Sequence, residues 1–188
     1  MSIDYYIYTK NLAPFSNKRC EAYIRERLGL DVEIHPDYDA HSDTGFLPIR
    51  IDGRFVSDAL AGASFLSGFE IRLDQSEVFS AASEPAVLTG NGIAEKTDHK
   101  EPYEDAVKHA AYRFSINCSW QDSFEVLLAY AFSTYVCEKC DSVFYDPQED
   151  QFFDDESLLI VELDAIKDEL KSMYENGELL THDFSGWQ

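Results

Sequence analysis

Apolar and polar positions follow two spacings along this chain, one near two residues and one near three to four, and each predicts a different element. The segment Ile3–Thr9 is rich in Ile and Tyr, as a β surface prefers, and reads as a strand. After a turn at Pro14, Ser16 is placed to cap a helix whose Cys20, Tyr23, Ile24 and Leu28 share one face, and Gly29 ends it. Val32–His35 and Phe46–Ile51 read as strands two and three, separated by a polar loop. Asp52-Gly53 marks a tight turn, and the small apolar stretch Val56–Leu66 predicts a short helix starting at Ser57 or Asp58. Gly68–Leu73 is the next strand.

Residues 74–106 show no clear period. Pro85 and Gly90-Asn91-Gly92 punctuate them, and Glu95–Glu104 reads as an exposed connection. Alternation returns in Ala111–Trp120, where Tyr112, Phe114, Ile116 and Cys118 fall on one side and Trp120 continues it. Ser119 or Asp122 is placed to cap a long apolar helix running through Tyr135. Ser142–Tyr145 is a strand, Pro147 a turn, and Gln151–Phe153 a short return strand. The last helix runs from about Glu156 to Tyr174 with an apolar stripe of Leu159, Val161, Leu163, Ile166, Leu170 and Met173, and Gly177 stops it.

The order strand, helix, strand, strand occurs in residues 3–51 and again in 111–154. That predicts two β-α-β units side by side in one sheet, although no sequence identity links them. The expected fold is α/β (α+β), a mixed sheet with flanking helices. A single domain spans 1–188, with halves 1–75 and 107–188 joined by an irregular segment.

Charge changes the picture. The chain has 36 Asp and Glu against 15 Lys and Arg, a net charge of -21, yet 45% of its residues are hydrophobic and 14% aromatic. Disordered acidic chains lack aromatics, so this is a folded domain with an anionic surface. The excess is uneven: residues 141–188 carry 14 acids against Lys167 and Lys171, a net of -12, and the preceding 140 residues a net of -9. Such a face steers in a basic partner, and the same repulsion favours a monomer or weak dimer. Direct nucleic-acid binding is disfavoured, because phosphates are neutralised by Lys and Arg clusters that the sequence lacks. No apolar run is long enough for a membrane span, and the N-terminus lacks a signal pattern, so the cytoplasm is the expected compartment.

Two clusters suggest chemistry. Cys137-Glu138-Lys139-Cys140 has the spacing of a redox pair or half a zinc site, but it falls at the C-terminal end of a helix, where the dipole opposes a thiolate. Cys20 and Cys118 are isolated, and all four cysteines read as free packed thiols. The loop from His35 to Asp43 holds two His and three Asp, at a spacing that fits neither a calcium loop nor a helical zinc motif. His99, His109 and His182 have no evident partner. Nucleotide and hydrolase fingerprints are missing, and no cofactor is expected.

The segment Asp141–Glu156 is the strongest feature. Phe144, Phe152 and Phe153 are placed to anchor a hairpin while Asp141, Asp146, Glu149, Asp150, Asp154, Asp155 and Glu156 face outward with Tyr145 among them. The same acids on an edge hairpin also serve to block unwanted strand pairing. A long apolar helix before a strand ending in Asp146-Pro147-Gln148, then an acidic tail, resembles immunity proteins of bacterial polymorphic toxin and contact-dependent inhibition systems. The likeness covers the last third of the chain, and the GFEIRL strand has a similar character. It implies a small cytoplasmic binding protein, not an enzyme, that neutralises a cognate toxin, often a basic nuclease. Asp141, Tyr145, Asp146, Glu149, Asp150, Asp154, Asp155 and Glu156 are the expected contacts, with help from Asp37, Asp39 and Asp43. The alternative is a metal-binding protein or metal-dependent enzyme using the His35–Asp43 loop or Cys137 and Cys140.

Overall fold

The computed structural model describes residues 2–39, 41–55, 61–75, 101–119, 123–153 and 156–180. In chain order the elements are β1 (Ile3–Thr9), α1 (Asn17–Leu28), β2 (Val32–Ile34), β3 (Gly45–Asp52), β4 (Ser64–Gln75), α2 (Glu101–Lys108), β5 (Tyr112–Cys118), α3 (Glu125–Cys140), β6 (Ser142–Asp146), β7 (Gln151–Phe153) and α4 (Glu156–Asn176). A 3-10 turn, Gly53–Phe55, follows β3.

Local signals explain most of the boundaries. The Ser16 side chain accepts the Arg19 amide, Gly29 closes α1 at φ 65, and Arg25 and Arg27 complement its C-terminal dipole. Alternation in β5 buries Phe114, Ile116 and Cys118 and turns Arg113, Ser115 and Asn117 to the other side. Helix α3 is buried on nearly every face because it is wedged between the sheet, α1 and α4. Its polar groups are satisfied internally: Ser133 and Thr134 donate to carbonyls one turn back, and buried Glu125 accepts from Ser119 Oγ at 2.9 Å.

Seven strands form one antiparallel sheet in the order β2-β3-β4-β5-β1-β6-β7. Tyr5, Ile7, Ile49, Phe69, Phe114 and Phe144 face the layer built by α1, α3 and α4. On the opposite face α2 packs over β1 and β6, where Val107 and Ala110 pack with Tyr8, and Tyr6, Tyr145 and Phe152 lie alongside. Glu21 of α1 reaches the edge of the sheet and accepts the Ile34 amide at 3.0 Å while pairing with Lys18. A buried carboxylate is tolerated there because it is both bonded and ion-paired.

The α/β class holds, with every strand pair antiparallel. The two β-α-β units are not side by side. They interlock, because β1 lies between β5 and β6, while β1 and β2 are separated by three strands. In the first unit the second strand is the sheet edge; in the second unit the third strand is. Two other expectations change. Residues 101–108 form a helix that begins inside Glu95–Glu104, the stretch expected to be an exposed connection, and β4 already begins at Ser64, inside the stretch read as a short helix. The N-cap of α3 is Phe124 without a side-chain bond, and the helix runs on to Cys140. Ser57, Asp58, Pro85, Gly90-Asn91-Gly92, Trp120 and Asp122 lie outside the described residues, as do His99 and His182.

Candidate functional site

The turn from β6 to β7 and the exposed side of α4 build the candidate surface. At the end of β6 the Asp146 carboxylate folds back, and its Oδ1 accepts the Gln148 amide at 2.8 Å and the Glu149 amide at 3.4 Å. This is the way an Asp shapes its own turn. Asp146 is only 7% exposed. Burial pushes its carboxyl above the ordinary carboxylate range; the two amides pull it down, and Glu149 and Glu162 push it up again.

Tyr145 points to the other face of the sheet. Its ring stacks 4.4 Å from Phe152, which stacks 4.9 Å from Tyr103 of α2, and Tyr6 flanks it at 6.4 Å. Its hydroxyl donates to Asp150 Oδ1 at 3.0 Å. Phe144 and Phe153 pair across β6 and β7 into the core, their rings 5.6 Å apart. Aromatics thus fix the hairpin from both sides and leave Glu149 and Asp150 exposed at its tip.

The eight residues proposed as contacts do not converge. Glu149 and Asp150 are together and exposed. Asp146 lies beneath them and shapes their turn. Asp141 is exposed but caps α3 in the left-handed conformation at the far end of β6, roughly 17 Å away by strand rise. Asp154 and Asp155 lie outside the described residues, as does the side chain of Glu156, whose backbone opens α4. Asp37, Asp39 and Asp43 belong to the loop between β2 and β3, at the opposite edge of the sheet from β7.

Three residues of this surface escaped the sequence reading: Leu158, Val161 and Glu162. Leu159, Leu163 and Leu170 bury one arc of α4, but Val161, assigned to that stripe, is 62% exposed, and Leu158 is 45% exposed. At about 100° per residue Val161 lies well over 100° from that buried arc, so the spacing itself carried the signal. Leu158, Val161 and Ala165 form a small exposed apolar strip, with Glu162, Asp164, Asp168 and Glu169 exposed around it.

The alternative chemistry has little geometry behind it. Asp39 Oδ1 accepts the His41 amide at 3.0 Å, Asp43 Oδ2 accepts the Asp39 amide at 2.7 Å, and the His41 ring meets the edge of Phe15. The carboxylates hold the loop's own backbone. Among the described residues no three His, Cys, Asp or Glu side chains converge as a metal site would need. All four cysteines are buried free thiols. Burial pushes Cys140 up to about 11 and Cys20 and Cys137 higher still, which disfavours the thiolate that redox or metal chemistry needs. No helix among the described residues is long and apolar enough to cross a membrane. Comparison of the chain with protein-family models, curated proteins and solved structures finds no significant match.

Proposed function

We propose that this chain is a binding protein that masks a basic protein partner, in the manner of a cytoplasmic immunity protein on its toxin. The observation that carries the reading is that α4 exposes two apolar side chains, Leu158 and Val161, beside the Glu162 carboxylate, while Glu149 and Asp150 stand exposed at the tip of the β6–β7 turn. Neither Glu149 nor Glu162 is paired with a Lys or Arg among the described residues. Protein interfaces draw affinity from desolvated apolar anchors and take approach rate and register from the charges around them. Solubility alone asks for charge but not for a valine presented among acids.

The test is a calorimetric titration with the product of the gene immediately upstream, taken as the candidate toxin, at low salt and at about 1 M, where the screening length falls to about 3 Å. A 1:1 complex weakened but not abolished by salt supports the reading. Absence of binding at both salt concentrations rules it out.

A further inference from the structure

Helix α4 shows the core and the solvent two different patterns. Leu159, Leu163 and Leu170 are buried, and Ile166 packs beside them, where the helix lies against α3. Away from that arc, Leu158, Val161, Ala165, Asp168, Ser172 and Glu175 are all exposed and follow one another in steps of three and four. This is the spacing of the two seam positions of a heptad, which keeps a single line of side chains turned toward a second helix. From Leu158 to Glu175 the line runs roughly 26 Å along the helix axis.

The line changes character along its length. Leu158 and Val161 are apolar anchors, and Ala165 is small enough to let another backbone come close; Asp168, Ser172 and Glu175 complete it with polar groups. Glu162 and Glu169 stand on one flank, Asp164 and Lys171 on the other, all exposed. Lys167 lies 3.7 Å from Asp164, but Glu162, Asp168, Glu169 and Glu175 make no ion pair among the described residues. Charge decides what fits over the anchors. A second copy laid fully along the line and antiparallel sets Leu158 against Glu175, Val161 against Ser172 and Ala165 against Asp168. Laid parallel, it sets Asp168 against Asp168 and Glu175 against Glu175. The first leaves every apolar group against a polar one, and the second opposes like charges.

We infer that this line receives an amphipathic basic helix of the partner, with apolar residues over Leu158, Val161 and Ala165 and with Lys or Arg facing Glu162, Asp168, Glu169 and Glu175. The inference rests on the reading of the chain as one that masks a basic protein, and it names the element of that protein that docks. The two helices cross at about 20°, the angle at which heptad seams interlock. Anchors in a seam hold the complex together, while the charges beside it choose the partner and fix its register.

The probe is a synthetic peptide of about three heptads with Leu at both seam positions and Lys beside them, followed through the backbone amide resonances of α4 in the full chain. The expected result is a saturable shift along Leu158–Glu175. Binding should be at least ten-fold weaker for a scrambled peptide of the same composition, and for a seam peptide with Glu in place of Lys. Val161→Asp should weaken the seam peptide at least ten-fold and Glu162→Gln several-fold. Glu70→Gln, the same charge change on the sheet face away from α4, should leave it unchanged; all three positions are exposed, so the fold is kept. No binding of the seam peptide, equal binding of the scrambled one, or a dimer of the chain alone that Val161→Asp dissolves would each overturn the proposal. No toxin enters this titration, so its failure leaves the masking reading to its own calorimetric test. Binding of the upstream gene's product that Val161→Asp does not weaken would sink the docking helix and leave the masking reading standing.

Discussion

The Tyr145 hydroxyl donates to the Asp150 carboxylate at 3.0 Å, and this bond closes the β6–β7 turn from its solvent side. Asp150 occupies the left-handed region at φ 51, so the turn holds its tip acid in an uncommon conformation with a tyrosine bracing it. Tyr145→Phe keeps the stack on Phe152 and loses only the hydrogen bond. The expected cost is about 1 kcal/mol, read as a shift in the urea midpoint with an unchanged slope. A loss as large as that of a core truncation would mean that the stack had failed instead.

Asp146 separates charge from turn shape. Its Oδ1 accepts both amides, and an Asn Oδ1 can accept the same two bonds without a charge. Because its folded carboxyl titrates above the ordinary range, stability at this position falls as pH rises from that range through the raised value. Asp146→Asn should therefore keep or raise Tm at pH 7 and remove that slope. Asp146→Ala strands both amides and should lower stability by about 1–3 kcal/mol. Thermal melts from pH 3 to about pH 8 check both; a large loss in the Asn variant would show that the carboxylate's charge is needed.

Gly68 permits a close approach of β3 and β4. It faces Pro48 in the β3–β4 register, and a Cβ there would overlap the Leu47 carbonyl oxygen. Gly68→Ala must push the strands apart or bend one of them. A loss of about 1–3 kcal/mol is expected, measured by denaturant unfolding, with fast amide exchange at Leu47 and Ile49. A variant as stable as the parent would show that the strands shift at no cost.

The thiols should report global unfolding. Cys20, Cys118, Cys137 and Cys140 are buried and free, and burial disfavours the thiolates of Cys20, Cys137 and Cys140. A thiol-disulfide reagent at pH 8 should react slowly with the native protein and rapidly with all four after denaturation. Fast reaction of Cys137 and Cys140 alone would reopen the redox reading.

The residues differ in how plainly they announced their places. Ser16 and Gly29 bounded α1, and alternation through Phe114, Ile116 and Cys118 marked β5, because caps and period two act locally. The order of strands was not legible, since it depends on which crossovers α1 and α3 make over a sheet assembled from distant segments. Helix α2 was missed although its signs were present: Pro102 and acids in the first turn, Lys108 in the last, and Tyr103 and Val107 at i, i+4. They lost weight because only a small part of that helix is apolar. On the candidate surface the acids of the turn were legible as a group, but their separation was not. Asp146 and Glu149 differ by three positions, and only the folded turn buries one and exposes the other.

The proposal that the acids of α4 and the turn receive a basic partner is tested by the rate of association with the protein product of the adjacent upstream gene, if it binds, or with another basic partner recovered with the chain. A chain carrying Glu149→Lys, Asp150→Lys and Glu162→Lys should associate at least ten-fold more slowly at low salt and show a weaker salt dependence, while Val161→Asp should mainly speed dissociation. All four positions are exposed, so circular dichroism should show the parent fold. Unchanged association and dissociation in both variants would contradict the account and place the partner's footprint elsewhere on the molecule.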